Sequence, residues 1–302
     1  MTGIEHVKQG CISALIPFTE NESLAQHTSF RIGGNAAVFC TPQDVQQLKT
    51  VRTLCAQAQV RFYTLGRGSN VLFADEDFAG VVINITDAIS NIEVQNNTVK
   101  AFAGALLAKV CKAAKENALA GLEFAYGIPG CIGGAVYMNA GAYGGEMKDV
   151  LQSVTYLDEN NQEHTLQAKD LALGYRTSIF EHHPAWCILY ATLCLCEGNA
   201  EEIQAKMADY AQRRAEKQPL DMPSAGSTFK RPEGAFAGAL IDQCGLRGFR
   251  FGGAAISIKH CGFVVNMGNA TCADVLALTD EVCRIVQEKT GYHLEKEIRV
   301  VK

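Results

Sequence analysis

The chain has 302 residues, 48% of them hydrophobic, and a formal net charge of −5. That length exceeds the ~100–200 residues of one domain, so two or three domains with ample core are expected. The acidic balance argues against nucleic acid or an anionic membrane as partner; no apolar run reaches the ~18 residues of a membrane span, and the first ten residues lack an apolar h-region, so no signal peptide is expected.

Taken in order, the pattern begins with a strand over 36–40 and a helix over 41–59. Thr41 is placed to cap that helix, Pro42 suits its first position, and Val45, Leu48, Val51, Leu54, Cys55 and Ala58 form its apolar stripe. A strand over 61–65 leads through a tight loop, 66–70, to a short strand at 71–73, and 81–85 reads as a buried strand. Asn96 and Asn97 mark a hairpin tip joining strands 92–94 and 99–102. A second helix spans 105–117. After a glycine-rich run at 127–145 the chain turns β-rich, with strands at 154–157, 164–166 and 186–196. A charged helix over 201–217 follows, ended by Pro219 and Pro223. The last hundred residues hold a strand at 227–230, a helix over 235–243 closed by Gly245, and a strand at 262–266. A long helix over 271–289 stops at Gly291, and a final strand covers 297–301. The order is α+β, with a domain boundary near residue 200.

The 12 cysteines are even in number, as in a secreted disulfide protein. However, a chain this long needs no staples, most of its cysteines sit in apolar stretches, and no C-x-x-C pair occurs. They read as reduced thiols in a cytoplasmic protein. His182 and His183 are adjacent, a spacing that suits a surface turn better than a metal, and no metal site is expected.

The glycine run carries the first chemical signal. Gly127, Gly130, Gly133, Gly134, Gly141, Gly144 and Gly145 are more than a core requires. Such density weakens regular structure but lets backbone lie flat against an anionic ligand. Gly66 and Gly68, in G-R-G-S-N at 66–70, have a G-x-G spacing. With Val71 where a third glycine would stand and no helix after it, this is not a Rossmann fingerprint. Two such loops suggest a dinucleotide diphosphate held outside a Rossmann fold.

Six segments then match one family in order. They are H-T-S-F-R-I-G-G at 27–34, L-G-R-G-S-N-V-L at 65–72, G-I-P-G-C-I-G-G-A-V-Y-M-N-A-G-A-Y-G at 127–144, G-Y-R-T-S at 174–178, A-G-S-T-F-K-R-P at 225–232 and L-E-K-E-I-R at 294–299. From about residue 20 to its end the chain resembles the UDP-N-acetylenolpyruvoylglucosamine reductases (UDP-N-acetylmuramate dehydrogenases), FAD enzymes of peptidoglycan precursor synthesis. The resemblance implies a vanillyl-alcohol-oxidase-type FAD-binding module of two α+β subdomains, 1–88 and 89–200, and a C-terminal substrate-binding domain, 201–302. It implies that NADPH passes a hydride to FAD, and that the reduced flavin passes one to the vinyl carbon of UDP-N-acetylglucosamine enolpyruvate, giving UDP-N-acetylmuramate.

On matching positions the resemblance makes Ser227 the proton donor and sets Arg176 and Glu297 around the substrate carboxylate. Arg176 offers a permanent forked charge for that carboxylate. Glu297 would have to be protonated or bridged so as not to repel it. Substrate contacts are implied at Tyr175, Lys217, Arg231 and His260. FAD contacts are implied at Gly66, Arg67, Gly68, Ser69 and Asn70 and at Gly127, Ile128, Pro129, Gly130, Gly133, Gly134, Ala135, Asn139 and Gly141. No residue is marked for covalent flavin attachment, so FAD is expected to be non-covalent. Arg231 stands where some members have asparagine, and Asn35 where proline is common. Only 50 residues separate Arg176 from Ser227, which leaves no room for the extra tyrosine-bearing loop of one branch and matches the shorter branch. An FAD oxidase of the same fold acting on a small alcohol, or a silent nucleotide-sugar or flavin sensor, are the readings set against this one.

Overall fold

The computed structural model describes residues 2–86 and 88–302, whose contacts divide the chain into two units. The first takes Met1–Glu20, Val38–Arg67 and Gly80–Arg213, and the second takes Asn21–Ala37, Gly68–Ala79 and Arg214–Lys302. The division thus falls inside the helix Ala200–Lys217, later than residue 200. The second unit also takes in two segments from early in the chain.

In the first unit the strands Phe62–Leu65 and Phe78–Asn84 run parallel, Phe62 opposite Val81 and Leu65 opposite Asn84. The helices Gly3–Ser13 and Val45–Gln57 pack together. Their crossing is close because Gly10 has no side chain: a Cβ there would lie 2.4 Å from Leu54 Cδ2. A five-stranded antiparallel sheet has the order Glu163–Gln167, Leu151–Leu157, Cys187–Cys194, Thr98–Phe102, Ile92–Gln95. The helices Leu107–Glu116 and Ile132–Tyr137 pack against it. One continuous core runs through the unit, including Val51, Val81, Val110, Ile132, Val154 and Leu193. Buried Arg52 is held there by three donations, to Asn161 Oδ1 (2.6 Å) and to the carbonyls of Asp158 (2.5 Å) and Ala185 (3.0 Å).

The second unit holds a four-stranded antiparallel sheet in the order Ser224–Ser227, Phe263–Asn266, Ala254–Ile256, Arg250–Phe251. The helix Cys272–Thr290 covers it. Thr271 and Asp274 form a reciprocal capping box at its start, and Gly291 takes the left-handed φ of 77° at its end. Apart from that sheet, Arg299–Val301 pairs in parallel with Val71–Phe73. Phe30, Leu72, Ile256, Val264, Leu278 and Val282 belong to a second, separate core.

Most expected elements are present within a few residues of their expected ends, and four of the differences are instructive. Asp44, not Thr41, caps the helix Val45–Gln57: its carboxylate accepts the Gln47 N–H at 2.7 Å, while the Thr41 hydroxyl turns to the Pro17 carbonyl. The strand expected at 227–230 lies at Ser224–Ser227; Gly226, at φ 76°, sits in a register irregularity after which Ser227 pairs with Phe263. The helix Gly3–Ser13, capped by the Thr2 side chain, is not among the expected elements. The glycine run, expected to lack regular structure, contains the helix Ile132–Tyr137. Neighbouring backbone supports that helix: Ile132 N–H donates to Ala105 O and Gly133 N–H to Ala103 O, each at 2.9 Å.

Candidate active site

In the first unit the two glycine-rich segments meet. A Cβ on Gly66 would lie 2.5 Å from Cys131 Sγ, so the start of the first loop rests directly on the start of the helix in the second. Gly130 and Gly133 are zippered onto 103–107, through Leu107 N–H to Gly130 O (3.0 Å) and Gly133 N–H to Ala103 O (2.9 Å). Gly134 differs: it is exposed, and a Cβ there would meet nothing within 4 Å. Its backbone face is open to a flat ligand, and Pro129 near the start of the run is exposed as well. The segments therefore fit a cofactor laid across backbone.

Two of the residues expected at the cofactor have their polar groups engaged within the fold. Asn139 is 0% exposed with no ligand present, so it has no surface to offer one. Its carboxamide donates to Glu146 Oε2 (3.1 Å) and Gly174 O (2.8 Å) and accepts from Lys148 N–H (2.9 Å). Gly133 is buried, its N–H is committed to Ala103, and a Cβ would lie 3.0 Å from Ala103 Cβ. Its missing side chain serves packing within the fold.

Arg176 sits in a tight turn, Gly174 to Thr177, closed by backbone bonds in both directions (3.1 and 3.4 Å). Its own φ is 58°, a strained value for a residue with a long side chain. The guanidinium donates through Nη2 to Gly141 O at 2.9 Å and lies 5.0 Å from the ring centre of Tyr175. Tyr175 is 44% exposed, so an apolar, ring-bearing surface borders the charge. Ser178 Oγ donates to Tyr137 O at 2.7 Å. The G-Y-R-T-S turn is thus stitched to 137–141, and the structure brings Arg176 to the glycine run.

In the second unit Ser227 ends its strand opposite Phe263 and is exposed. The next residue links it to Glu297: Glu297 N–H donates to Thr228 O at 2.7 Å, and Lys230 N–H to Glu295 O at 2.8 Å. Asn70 closes the group, its side chain donating to Glu297 O (3.3 Å) and its carbonyl accepting Arg299 N–H (3.0 Å). Ser227, Glu297 and Asn70 are therefore set by one continuous stretch of backbone pairing.

The 27–34 segment, matched in sequence without a role, wraps Gly68. A Cβ on Gly68 would lie 2.2 Å from His27 O and 2.9 Å from Thr28 Cα, and Gly68 O accepts Ser29 N–H at 3.1 Å. Gly68 has φ 60° and is buried, whereas Arg67 beside it is exposed. The role of the segment is carried by backbone packed against Gly68, which residue types alone do not reveal.

The other expected substrate residues are surface groups of the second unit. Lys217 is exposed at the last turn of its helix, and exposed Arg231 lies 4.5 Å from the ring centre of Phe236, which is itself 62% exposed. His260 is held by its own loop: Nδ1 accepts Gly262 N–H at 3.1 Å and the ring meets Phe263 edge-on. Burial lowers its pKa below the usual histidine value, with Arg247 adding to the effect. All twelve cysteines are free, and among the described residues no group of three or more His, Cys, Asp or Glu could hold a metal. No helix among the described residues is long and apolar enough to cross a membrane.

Residues 36–167 match the family model "FAD binding domain". Fold and site define an α+β, FAD-dependent oxidoreductase. Residues 218–301 match the model "UDP-N-acetylenolpyruvoylglucosamine reductase, C-terminal domain". The chain is 46% identical over 281 residues to the UDP-N-acetylenolpyruvoylglucosamine reductase of Caldanaerobacter subterraneus subsp. tengcongensis, covering 93% of this chain and 92% of that one. To the protein of the same name from Lachnoclostridium phytofermentans it is 46% identical over 287 residues, covering 94% and 92%. The crystal structure of the Thermus caldophilus reductase aligns with a TM-score of 0.79 at 35% identity, over 95% of this chain and 99% of that one. The chain belongs to the UDP-N-acetylenolpyruvoylglucosamine reductase family.

Proposed function

We propose that the protein reduces UDP-N-acetylenolpyruvoylglucosamine to UDP-N-acetylmuramate, a step of peptidoglycan precursor synthesis, in the cytoplasm and with NADPH as reductant. Reduction of that substrate is the activity of its family. NADPH, the location and the residue roles are our own assignments. The observation that carries the roles is the pairing of Thr228 O with Glu297 N–H, which sets an exposed serine and a carboxyl group on neighbouring backbone.

Non-covalent FAD, when bound, supplies the relay by which a hydride from NADPH reaches the vinyl carbon of the enolpyruvyl group. The segments at 66–70 and 127–134, apart from Gly133, together with Gly141, are the residues we assign to hold it. Hydride addition to the vinyl group drives negative charge onto the adjoining carboxylate and gives an enolate. Arg176 answers that charge with a permanent fork of donors. Ser227 Oγ gives its proton to the carbon beside the carboxylate, completing the lactyl ether. A serine is a weak acid in water, and the basicity of the enolate carbon supplies the driving force once Ser227 is close to it. Glu297 serves the same carboxylate in its protonated form, which requires a pKa raised when substrate is bound. Tyr175, Lys217 and Arg231 are assigned to substrate as exposed groups able to reach it. His260, tied to Gly262, is assigned to shaping its loop.

Anaerobic titration tests the reading. The flavin-loaded protein should lose its yellow colour with NADPH and regain it on addition of UDP-N-acetylenolpyruvoylglucosamine, with UDP-N-acetylmuramate as product. Bleaching by a small alcohol and recovery only with O₂ would assign an oxidase instead.

A further inference from the structure

We infer that Asn139 is a positioning residue for Arg176: a fully buried carboxamide that fixes the Arg176 turn to the glycine run and never touches cofactor or substrate. The inference rests on the assignment of Arg176 to the substrate carboxylate.

The turn is joined to 137–141 by a short series of bonds. Ser178 Oγ donates to Tyr137 O, Asn139 Nδ2 to Gly174 O, and Arg176 Nη2 to Gly141 O, at 2.7, 2.8 and 2.9 Å. Asn139 is the central one. The Ser178 bond lies beyond the turn, and the Arg176 bond is made by the side chain that has to be aimed. Only the Asn139 bond anchors the turn's own backbone at its first residue. A carboxamide suits the task because it donates twice and accepts once: its second hydrogen goes to Glu146 and its oxygen takes Lys148 N–H. The same group therefore also fixes the far end of the hairpin formed by Gly141–Ala142 and Gly145–Glu146, whose Gly141 carbonyl holds Arg176. Both partners of the Arg176–Gly141 bond are placed by one side chain.

The backbone agrees. Asn139 has φ 40° and Arg176 has φ 58°. Two left-handed non-glycine residues persist only where surrounding bonds over-determine them. Asparagine tolerates that region better than most side chains. Substituents that keep the region accessible therefore separate the amide's role from simple backbone strain. Asn139→Asp keeps the shape and removes the donor to Gly174. Asn139→Gly keeps the φ freely accessible and removes the whole amide.

The test uses flavin-loaded protein and measures the two halves of turnover separately under anaerobic conditions. In both variants NADPH should reduce the flavin within about twofold of the unmodified rate, because Arg176 takes no part in that half. Reoxidation of the reduced flavin by UDP-N-acetylenolpyruvoylglucosamine should slow by roughly 10–100-fold, the penalty expected for a misplaced binding group. On an Arg176→Gln background, Asn139→Gly should add little further slowing. Normal reoxidation in both variants, with Arg176→Gln slow, overturns the inference and leaves the role of Arg176 standing. Normal reoxidation in Arg176→Gln itself overturns the assignment of Arg176, and with it the premise. Loss of flavin or of fold in both Asn139 variants, or equal slowing of both halves, also overturns the inference, because Asn139 would then be a residue of the cofactor site or of the fold at large.

Discussion

The turn that carries Arg176 and the bridged backbone that carries Ser227 and Glu297 are built in contrasting ways. In the first unit, side chains hold the turn: Ser178, Asn139 and Arg176 itself all donate to main-chain carbonyls at 137, 174 and 141. In the second, the backbone does most of the holding, through Thr228 O with Glu297 N–H and Lys230 N–H with Glu295 O, and the Asn70 side chain adds one bond to Glu297 O. A site fixed by side chains can be misaligned by substituting one of them. A site fixed by backbone tolerates side-chain changes and fails only when the chain cannot take its path.

The severest way to break the second kind is Gly68→Ala. The new methyl would stand 2.2 Å from His27 O on a residue with φ 60°, and the obstacle is backbone, which has nowhere to move. We expect a loss of about 3 kcal/mol or more in urea denaturation, or no folded protein. Gly134→Ala is its counterpart in the other loop, where a methyl meets nothing within 4 Å. Stability should be unchanged or raised by roughly 0.5–1 kcal/mol, since alanine favours the helix. FAD affinity should fall at least about tenfold if cofactor lies on that face. Equal FAD affinity by fluorescence titration would remove Gly134 from the site.

Thr228→Val sharpens the contrast. Thr228 is fully buried and its hydroxyl accepts Val264 N–H at 2.9 Å, but its contact with Glu297 is made by its carbonyl. The variant should lose about 1–3 kcal/mol of stability for the orphaned N–H, and keep near-normal turnover below its melting temperature. Loss of turnover in a folded variant would mean that the bridge between Ser227 and Glu297 also depends on the Thr228 side chain.

A smaller effect concerns pH. Burial holds the His260 pKa below the unfolded value of about 6.5. Below that pH the unfolded chain takes up a proton that the native ring resists. The contribution of His260 to stability is therefore complete above about pH 6.5 and declines as pH falls through the window beneath it. The urea midpoint should drop on acidification, and His260→Gln should drop less. An equal slope in the two proteins would mean that His260 titrates as an exposed group. The mildest expectation is for thiols: a native-state alkylation time course should label exposed Cys194 and Cys196 first, and the nine buried cysteines only on unfolding.

Much of this organisation was legible in the sequence. Long periodic helices such as Cys272–Thr290, with Thr271 before and Gly291 after, carry their own start and stop signals. The Asn96–Asn97 hairpin does so by turn chemistry, Asn96 taking φ 51°. What stayed hidden depends on distant partners. The helix Ile132–Tyr137 forms in a glycine-rich stretch because Ala103 and Ala105 accept its first N–H groups. Asn139 looks like one more polar residue in a cofactor loop until its burial and three bonds are seen. The wrapping of 27–34 around Gly68, and the recruitment of 21–37 and 68–79 into the second unit, have no local signature at all.

The central claim is that Ser227 delivers the proton in the second half of turnover, and anaerobic stopped-flow on Ser227→Ala tests it most directly. Ser227 is exposed at a strand end, so the variant should fold and bind flavin normally. NADPH should reduce that flavin at the unmodified rate, while reoxidation by UDP-N-acetylenolpyruvoylglucosamine should slow by roughly 10²–10⁴-fold, the range for loss of a positioned proton donor. Reoxidation at a near-normal rate, with UDP-N-acetylmuramate formed, would contradict the account.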